Sequence, residues 1–224
     1  MPKRYEPRCR SLSFEELERL FKKLLEARGH VKPMYNEYHV LKALLVIERK
    51  EPIGRVALSR ELGIGVASTR TLVKRLRELG VVEVDTVGGC FLTELGRRTL
   101  SFLHNFVKRI ERVTPYIGSD LALDREAYAA LVTYSIVEKR SIVTLRDTFV
   151  RYGASAVLIA CIQNGQAVLP PDFTADEHSL PSLRILRESL GAKEGDYIAV
   201  AYARGAHLAE EALYRGLVEL LLER

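Results

Sequence analysis

The segment at residues 53–80 constrains the fold of this chain more than any other stretch of its sequence. It predicts a short helix at 55–62, a turn that holds Gly63 and Gly65, and a second helix at 66–79. A glycine directly follows the second helix and suits its end, because glycine adopts the left-handed conformation of a helix terminus without steric cost. Two helices joined by a turn this short are typical of a helix-turn-helix.

The second of these helices is predicted to carry a short basic face that points away from the core. At 100° per residue, Leu72, Val73 and Leu76 lie on its apolar side, and small or basic residues lie opposite. Arg70 suits a bidentate bond to a guanine edge in the major groove, whereas Lys74 suits a phosphate contact. We therefore predict six DNA-contacting residues, which are Ala67, Ser68, Arg70, Thr71, Lys74 and Arg75.

A hairpin is predicted to follow the basic helix. Residues 81–87 alternate as a strand does, Gly88-Gly89 suits a tight turn, and Cys90 begins the return strand. The turn region at 85–89 contains neither lysine nor arginine, so we do not expect it to contact the minor groove of DNA.

Apolar residues at three- and four-residue spacing predict further helices at 13–28, 36–49 and 94–113. Ser13 and Glu16 form a capping-box pattern at the start of the first one. The first and last of these helices are longer and more apolar than a minimal helix-turn-helix domain with a hairpin requires. We therefore predict that one or both form the seam of a homodimer, since helix-turn-helix proteins commonly bind two half-sites as a two-fold dimer.

Residues 36–100 resemble prokaryotic winged-helix transcription regulators, chiefly in the segments 57–64 (ALSRELGI) and 92–97 (LTELGR). The whole chain resembles archaeal winged-helix regulators with a small C-terminal α/β domain of uncharacterised function, on residues 144–156 and the Asn164-Gly165 pair. The resemblance implies a transcription regulator that binds double-stranded DNA. It also implies that the C-terminal domain binds a small effector or mediates assembly.

Charged residues are unevenly distributed between the two halves. Residues 1–118 hold 23 Lys and Arg against 14 Asp and Glu, a net charge of +9, whereas residues 119–224 hold 11 against 15, a net charge of −4. A basic half suits a polyanion such as nucleic acid, and a solvated basic surface is the alternative. With a Pro- and Gly-containing stretch at 115–120, this asymmetry predicts two domains, 1–118 and 119–224.

The second half alternates strand and helix signals. The predicted strands are 129–137, 156–162, 167–169 and 197–202, and the predicted helices are 145–152, 181–190 and 206–223. The order predicts an α+β protein whose C-terminal part is a small α/β sandwich with a mixed four-stranded sheet.

Two places in the second half are candidates for binding a small effector. Arg146 and Asp147 share a short helix and would form a polar floor, although a surface ion pair between Asp147 and Arg151 is the alternative. Arg204 and His207 flank the start of the last helix, where free backbone N–H groups attract anions. An ordinary helix start is the alternative there.

Several classes of protein are not favoured by the sequence. No apolar run reaches the roughly 18 residues of a membrane span, and the charged start lacks the apolar stretch of a secretion signal. Three widely spaced cysteines favour a reducing cytoplasm. The scattered histidines and missing catalytic motifs lead us to expect no enzyme, catalytic residue, metal or cofactor.

Two alternatives remain open on the sequence. One is a winged-helix protein fused to a riboflavin kinase-like domain, whose barrel would be mostly β. The other is a protein-interaction adaptor whose winged helix does not bind DNA.

Overall fold

A computed structural model describes residues 12–85, 89–138, 140–171 and 173–223 of the chain. It confirms the α+β class, with a helical N-terminal region and a C-terminal sheet. Among the described residues, no helix combines the length and apolar character needed to cross a membrane.

The N-terminal region follows the predicted order of elements. Its helices are α1 (Phe14–Leu25), α2 (Glu37–Lys50), α3 (Arg55–Leu62), α4 (Val66–Glu78) and α5 (Glu94–His104), and its hairpin strands are β1 (Val82–Asp85) and β2 (Gly89–Leu92). The capping box at the start of α1 is confirmed, because the Ser13 hydroxyl accepts from the Glu16 backbone and the Glu16 carboxylate accepts from the Ser13 backbone. The predicted turn glycine Gly88 lies outside the described residues, which leave out 86–88.

The predicted helix at 94–113 is wrong in its second half. Helix α5 ends at His104, and the chain then forms strand β3 (Val107–Arg112), which pairs antiparallel with β4 (Glu126–Thr133). The apolar residues of this stretch fit helical spacing, but pairing with the edge of a nearby sheet satisfies its backbone groups instead.

The C-terminal sheet has five antiparallel strands, which corrects the predicted mixed sheet of four. Its remaining strands are β5 (Ala156–Gln163), β6 (Gln166–Val168) and β7 (Asp196–Ala203), and the spatial order is β3-β4-β7-β5-β6. The predicted hairpin at Asn164-Gly165 is confirmed, with φ of 53° and 76° at its two turn residues. The extra strand is β3, which the sequence pattern had placed in a helix.

Helices cover both faces of this sheet. They are α6 (Tyr134–Val137), α7 (Ile142–Arg151), α8 (Pro181–Leu190) and α9 (Ala206–Leu222). Helices α7 and α9 pack on one face, and α8 packs on the other with a 3₁₀ turn at Thr114–Tyr116.

Helix α9 joins the helical region to the sheet. It contacts α1 and α2 on one side and strands β4 and β7 on the other, so one hydrophobic core runs from Leu17 of α1 to Leu221 of α9. This core, and the pairing of β3 with β4, both join residues on the two sides of the predicted domain boundary at residue 118.

The proposed dimer seam on residues 13–28 is not available. The apolar side of α1, which carries Leu17, Phe21 and Leu24, is buried within the chain against α2, α4 and α9. The other predicted seam, at 94–113, is interrupted by the change from α5 to β3. The apolar surplus of α1 is explained by its intramolecular contact with α9.

Candidate nucleic-acid interface

Helices α3 and α4 form a helix-turn-helix held by a compact apolar contact. Gly63 ends α3 in the left-handed conformation, with φ of 68°, and lies in the turn that the sequence predicted. Leu58 and Leu62 of α3 and Leu72 and Leu76 of α4 are fully buried. The contact fixes the orientation of α4 relative to α3.

The β1-β2 hairpin is fixed beside this pair of helices. The backbones of Ile53 and Cys90 exchange two hydrogen bonds, of 3.0 Å and 2.8 Å between N and O. A Cβ atom at Gly89 would lie 2.5 Å from the Ile53 carbonyl oxygen, so only glycine allows this approach. The order helix, turn, helix and hairpin is that of a winged helix-turn-helix fold.

The predicted outward face of α4 is accessible. Ala67, Arg70, Thr71 and Lys74 are exposed, and Ser68 is half-buried. The Lys74 side chain is 71% exposed, with its ammonium 4.0 Å from a Glu78 carboxylate oxygen. Their position on an open, basic face agrees with the sequence pattern, and their contact with DNA stays a prediction.

The predicted DNA contact by Arg75 is wrong, because the structure buries this side chain. Its side chain is only 3% exposed, and its Nη1 donates to the carbonyl oxygens of Leu24 at 2.7 Å and Glu26 at 2.6 Å. The Tyr35 hydroxyl donates to the same Leu24 oxygen at 3.0 Å. Arg75 therefore satisfies carbonyls at the end of α1, which a helix end leaves without intrahelical partners.

Of the two carbonyls that bind Arg75, that of Leu24 lies in the last turn of α1, and that of Glu26 begins the loop at residues 26–35, which connects α1 to α2. This loop runs beside α4 and leaves a cleft of about 400 Å³ between them, which we call the α4 cleft. Its lining includes Arg28, Lys32, Met34, Ala67, Thr71 and Lys74. The sequence analysis gave this loop no role in the interface. Its visible signal was Lys32, Pro33 and Met34 together in a short connection between two helices.

An ion-pair network lies beside the α4 cleft. Arg28 binds the Glu78 carboxylate, and that carboxylate also lies near Lys74. The hydrogen bond from Arg28 and its charge lower the pKa of Glu78, so this carboxylate stays ionised at neutral pH. Glu78 thereby positions two of the cations that face the cleft.

The four predicted effector-binding residues are not brought together. Arg146 and Asp147 are exposed on α7, and Arg151 pairs with Glu219 of α9 at 2.8 Å rather than with Asp147. Arg204 and His207 are also exposed, at the opposite end of α9. From His207 to Glu219 the helix rises about 18 Å, which separates the two pairs.

A different place has the shape of a small-molecule site. A cavity of about 180 Å³ lies where α2, α5, β3 and α9 meet. Leu41, Leu45, Leu103, Tyr214 and Leu221 form apolar walls, and Glu48, Arg49, His104, Lys108 and Arg109 supply polar groups. We call this the junction cavity, because it lies between the helical region and the sheet.

The fold is thus a winged helix-turn-helix followed by an antiparallel sheet covered by helices. Residues 40–98 match the family described as PH0730-like, N-terminal domain, and residues 123–220 match a domain of unknown function, DUF4443. The chain is also similar to the solved structure of hypothetical protein PH0730 from Pyrococcus horikoshii OT3. The two share 22% sequence identity, over 84% of this chain and 94% of that one, with a TM-score of 0.62. A search of curated proteins finds no match.

Proposed function

We propose that this protein is a transcription regulator that binds double-stranded DNA through the exposed face of α4. The observation that carries the proposal is the combination of a winged helix-turn-helix with accessible Arg70 and Lys74 on its second helix. In this fold the N-terminal half of the second helix enters the major groove. The net charge of +9 over residues 1–118 agrees with a polyanionic partner.

The two exposed cations have separable roles in this proposal. Arg70 reads a base edge, so Arg70→Ala should reduce the preference for one sequence over another. Lys74 contacts phosphate, so Lys74→Ala should weaken binding to all sequences alike and lower its salt dependence.

The test is duplex binding measured over a series of salt concentrations, with a site selected from a random duplex pool. Arg184→Ala is a matched control, because this exposed arginine lies on α8, on the far face of the sheet, and has an i,i+4 carboxylate partner as Lys74 does. Unchanged binding by the Arg70→Ala, Lys74→Ala double variant would refute the assignment of this surface.

A homodimer is part of the same proposal, because a two-fold dimer reads two half-sites of a palindromic operator. The buried side of α1 does not supply its interface. Sedimentation at micromolar concentration, with and without a palindromic duplex, measures the assembly. A monomer under both conditions would contradict the dimer and leave the DNA-binding surface standing.

We also propose that a small effector binds in the junction cavity. Its apolar walls favour a small, largely apolar molecule, whereas Lys108 and Arg109 already pair with Asp196 and Glu111. Leu45→Trp should fill the cavity, so octanoate and phenylacetate should raise the melting temperature of the wild type and not of the variant. An equal response in both proteins would contradict this location.

A further inference from the structure

We propose that the α4 cleft clasps one sugar–phosphate strand of duplex DNA, with α4 as one wall and the 26–35 loop as the other. Lys32 is the phosphate-binding residue that the loop supplies. This inference rests on the proposed function, because the strand reaches the cleft only when α4 occupies the major groove. It adds a second contacting element to the helix-turn-helix.

The loop is fixed in place beside α4 by buried hydrogen bonds. The guanidinium of Arg75 binds the carbonyls of Leu24 and Glu26, and the Tyr35 hydroxyl binds Leu24 as well. Within the loop, Arg28 and Val31 exchange backbone hydrogen bonds of 3.1 Å and 3.3 Å around a tight turn. Because the 26–35 loop is held at both ends, the cleft is already formed in the free protein. This reduces the entropic cost of ordering the loop when DNA binds.

The cleft has the charge that a phosphate strand requires. The described residues that line it include the cations Arg28, Lys32 and Lys74 and no acidic residue. Glu78, beside the cleft, pairs with Arg28 and lies 4.0 Å from Lys74, whereas Lys32 is not part of that network. Lys32 and Lys74 are exposed, on the loop and on α4 respectively. Cations on two facing walls suit a chain of phosphates that passes between them.

The position of the cleft on α4 agrees with the geometry of groove binding. At 100° per residue, Ala67, Thr71 and Lys74 lie at the centre of the outward face of α4, and Ser68 and Arg75 lie on the flank toward the loop. Arg70 and Arg77 lie toward the other flank. A helix in the major groove has one bounding phosphate strand along each flank. The strand on the flank of Ser68 and Arg75 therefore lies between α4 and the loop.

The tip of the loop carries exposed apolar side chains, which a purely electrostatic contact does not explain. Val31 is 73% exposed and Met34 is 82% exposed. Both line the cleft beside Lys32. On a clasped strand, these side chains pack against deoxyribose, which presents apolar atoms between successive phosphates.

The test compares Lys32→Ala with the wild type over a salt series, using the same duplex. Loss of one phosphate contact should lower the slope of log K against log salt concentration by about 0.9. Sequence preference should stay unchanged, because a phosphate contact carries no base information. Lys32→Arg should retain the slope, and Arg184→Ala is the control for the loss of a remote surface cation.

A second measurement places the contact on one strand. Neutral methylphosphonate linkages are introduced in turn along each strand of the duplex, and binding of the wild type and of Lys32→Ala is compared. The wild type should lose affinity at one or two positions on a single strand, and Lys32→Ala should be insensitive at those positions. Met34→Ser should weaken binding several-fold without changing the salt slope.

The outcomes separate this inference from the proposed function. Absence of salt-dependent duplex binding by the wild type overturns both. If Arg70→Ala and Lys74→Ala weaken binding but Lys32→Ala keeps the wild-type slope of log K against log salt concentration, only the proposed contact between the α4 cleft and the strand is overturned. Because Lys32 and Met34 are exposed, thermal unfolding of both variants should match the wild type and show that the changes act on binding.

Discussion

Replacement of Arg75 by alanine tests the most unexpected contact in the N-terminal region. The side chain is buried, and one of its nitrogens binds two carbonyl oxygens of the α1 terminus, at 2.7 Å and 2.6 Å. Those bonds tie α4 to α1, and α1 in turn packs on α9. Arg75→Ala should therefore lower the stability of the chain rather than act only at a DNA surface.

The magnitude follows from the two hydrogen bonds. Bonds from a charged donor contribute about 1.5–3 kcal/mol each. The Nε atom of Arg75 is buried and finds no acceptor among the described residues, and its removal offsets part of the loss. Two such bonds contribute about 3–6 kcal/mol together. We expect the lower end of that range, a decrease of about 3 kcal/mol in the free energy of unfolding.

Urea unfolding of the full chain measures this loss. Arg77→Ala is the matched control, because Arg77 is exposed near the end of the same helix and its replacement should change stability by no more than about 0.5 kcal/mol. Tyr35→Phe removes the other donor to the Leu24 oxygen, so its effect and that of Arg75→Ala should be non-additive. A stability for Arg75→Ala within about 0.5 kcal/mol of the wild type would refute the structural role.

Three further predictions test the packing around α9 and α2. Gly216→Ala should destabilise by about 1–3 kcal/mol, because its Cβ would lie 2.3 Å from the Phe149 ring, and Phe149→Leu in the same chain should restore part of the loss of thermal stability. Burial lowers the pKa of His39 from 6.5 to about 4, so between these values the unfolded chain binds a proton that the folded chain does not. The free energy of unfolding should therefore fall by up to about 3 kcal/mol as the pH drops from 6.5 to 4, and His39→Gln should remove this dependence in urea titrations. In the same assay, Lys42→Met should lower the free energy of unfolding more than the Lys42→Met, Glu210→Gln double variant does. The half-buried Lys42–Glu210 ion pair is 2.8 Å long, and removal of the lysine alone leaves the carboxylate without its cation.

Local sequence signals predicted most of the helices. Helix α3 and its terminal Gly63 are where the pattern placed them, and α4 ends within one residue of its predicted end. The capping box at Ser13 and the Asn164-Gly165 turn were also found correctly. All of these signals lie within a few residues of the structure they determine.

The errors concern residues whose partners are distant in the chain. Strand β3 pairs with β4, across a connection that includes a 3₁₀ turn, and nothing within 107–112 specifies that partner. Arg75 bonds a carbonyl 51 residues away, and helical periodicity placed it on the flank of the exposed face. The pattern of residues on one helix face does not reveal whether a distant segment of the chain covers that face.

The sequence by itself determined the order of elements from α1 to β2, the α+β class and the basic outward face of α4, because spacing, caps and turn residues act locally. The tertiary structure alone decided that Arg75 holds the 26–35 loop, that residues 107–112 complete a five-stranded antiparallel sheet, and that α9 joins both regions in one core. The physical reason is that buried backbone groups and apolar faces must find partners, and which partners they find depends on the packing of the whole chain.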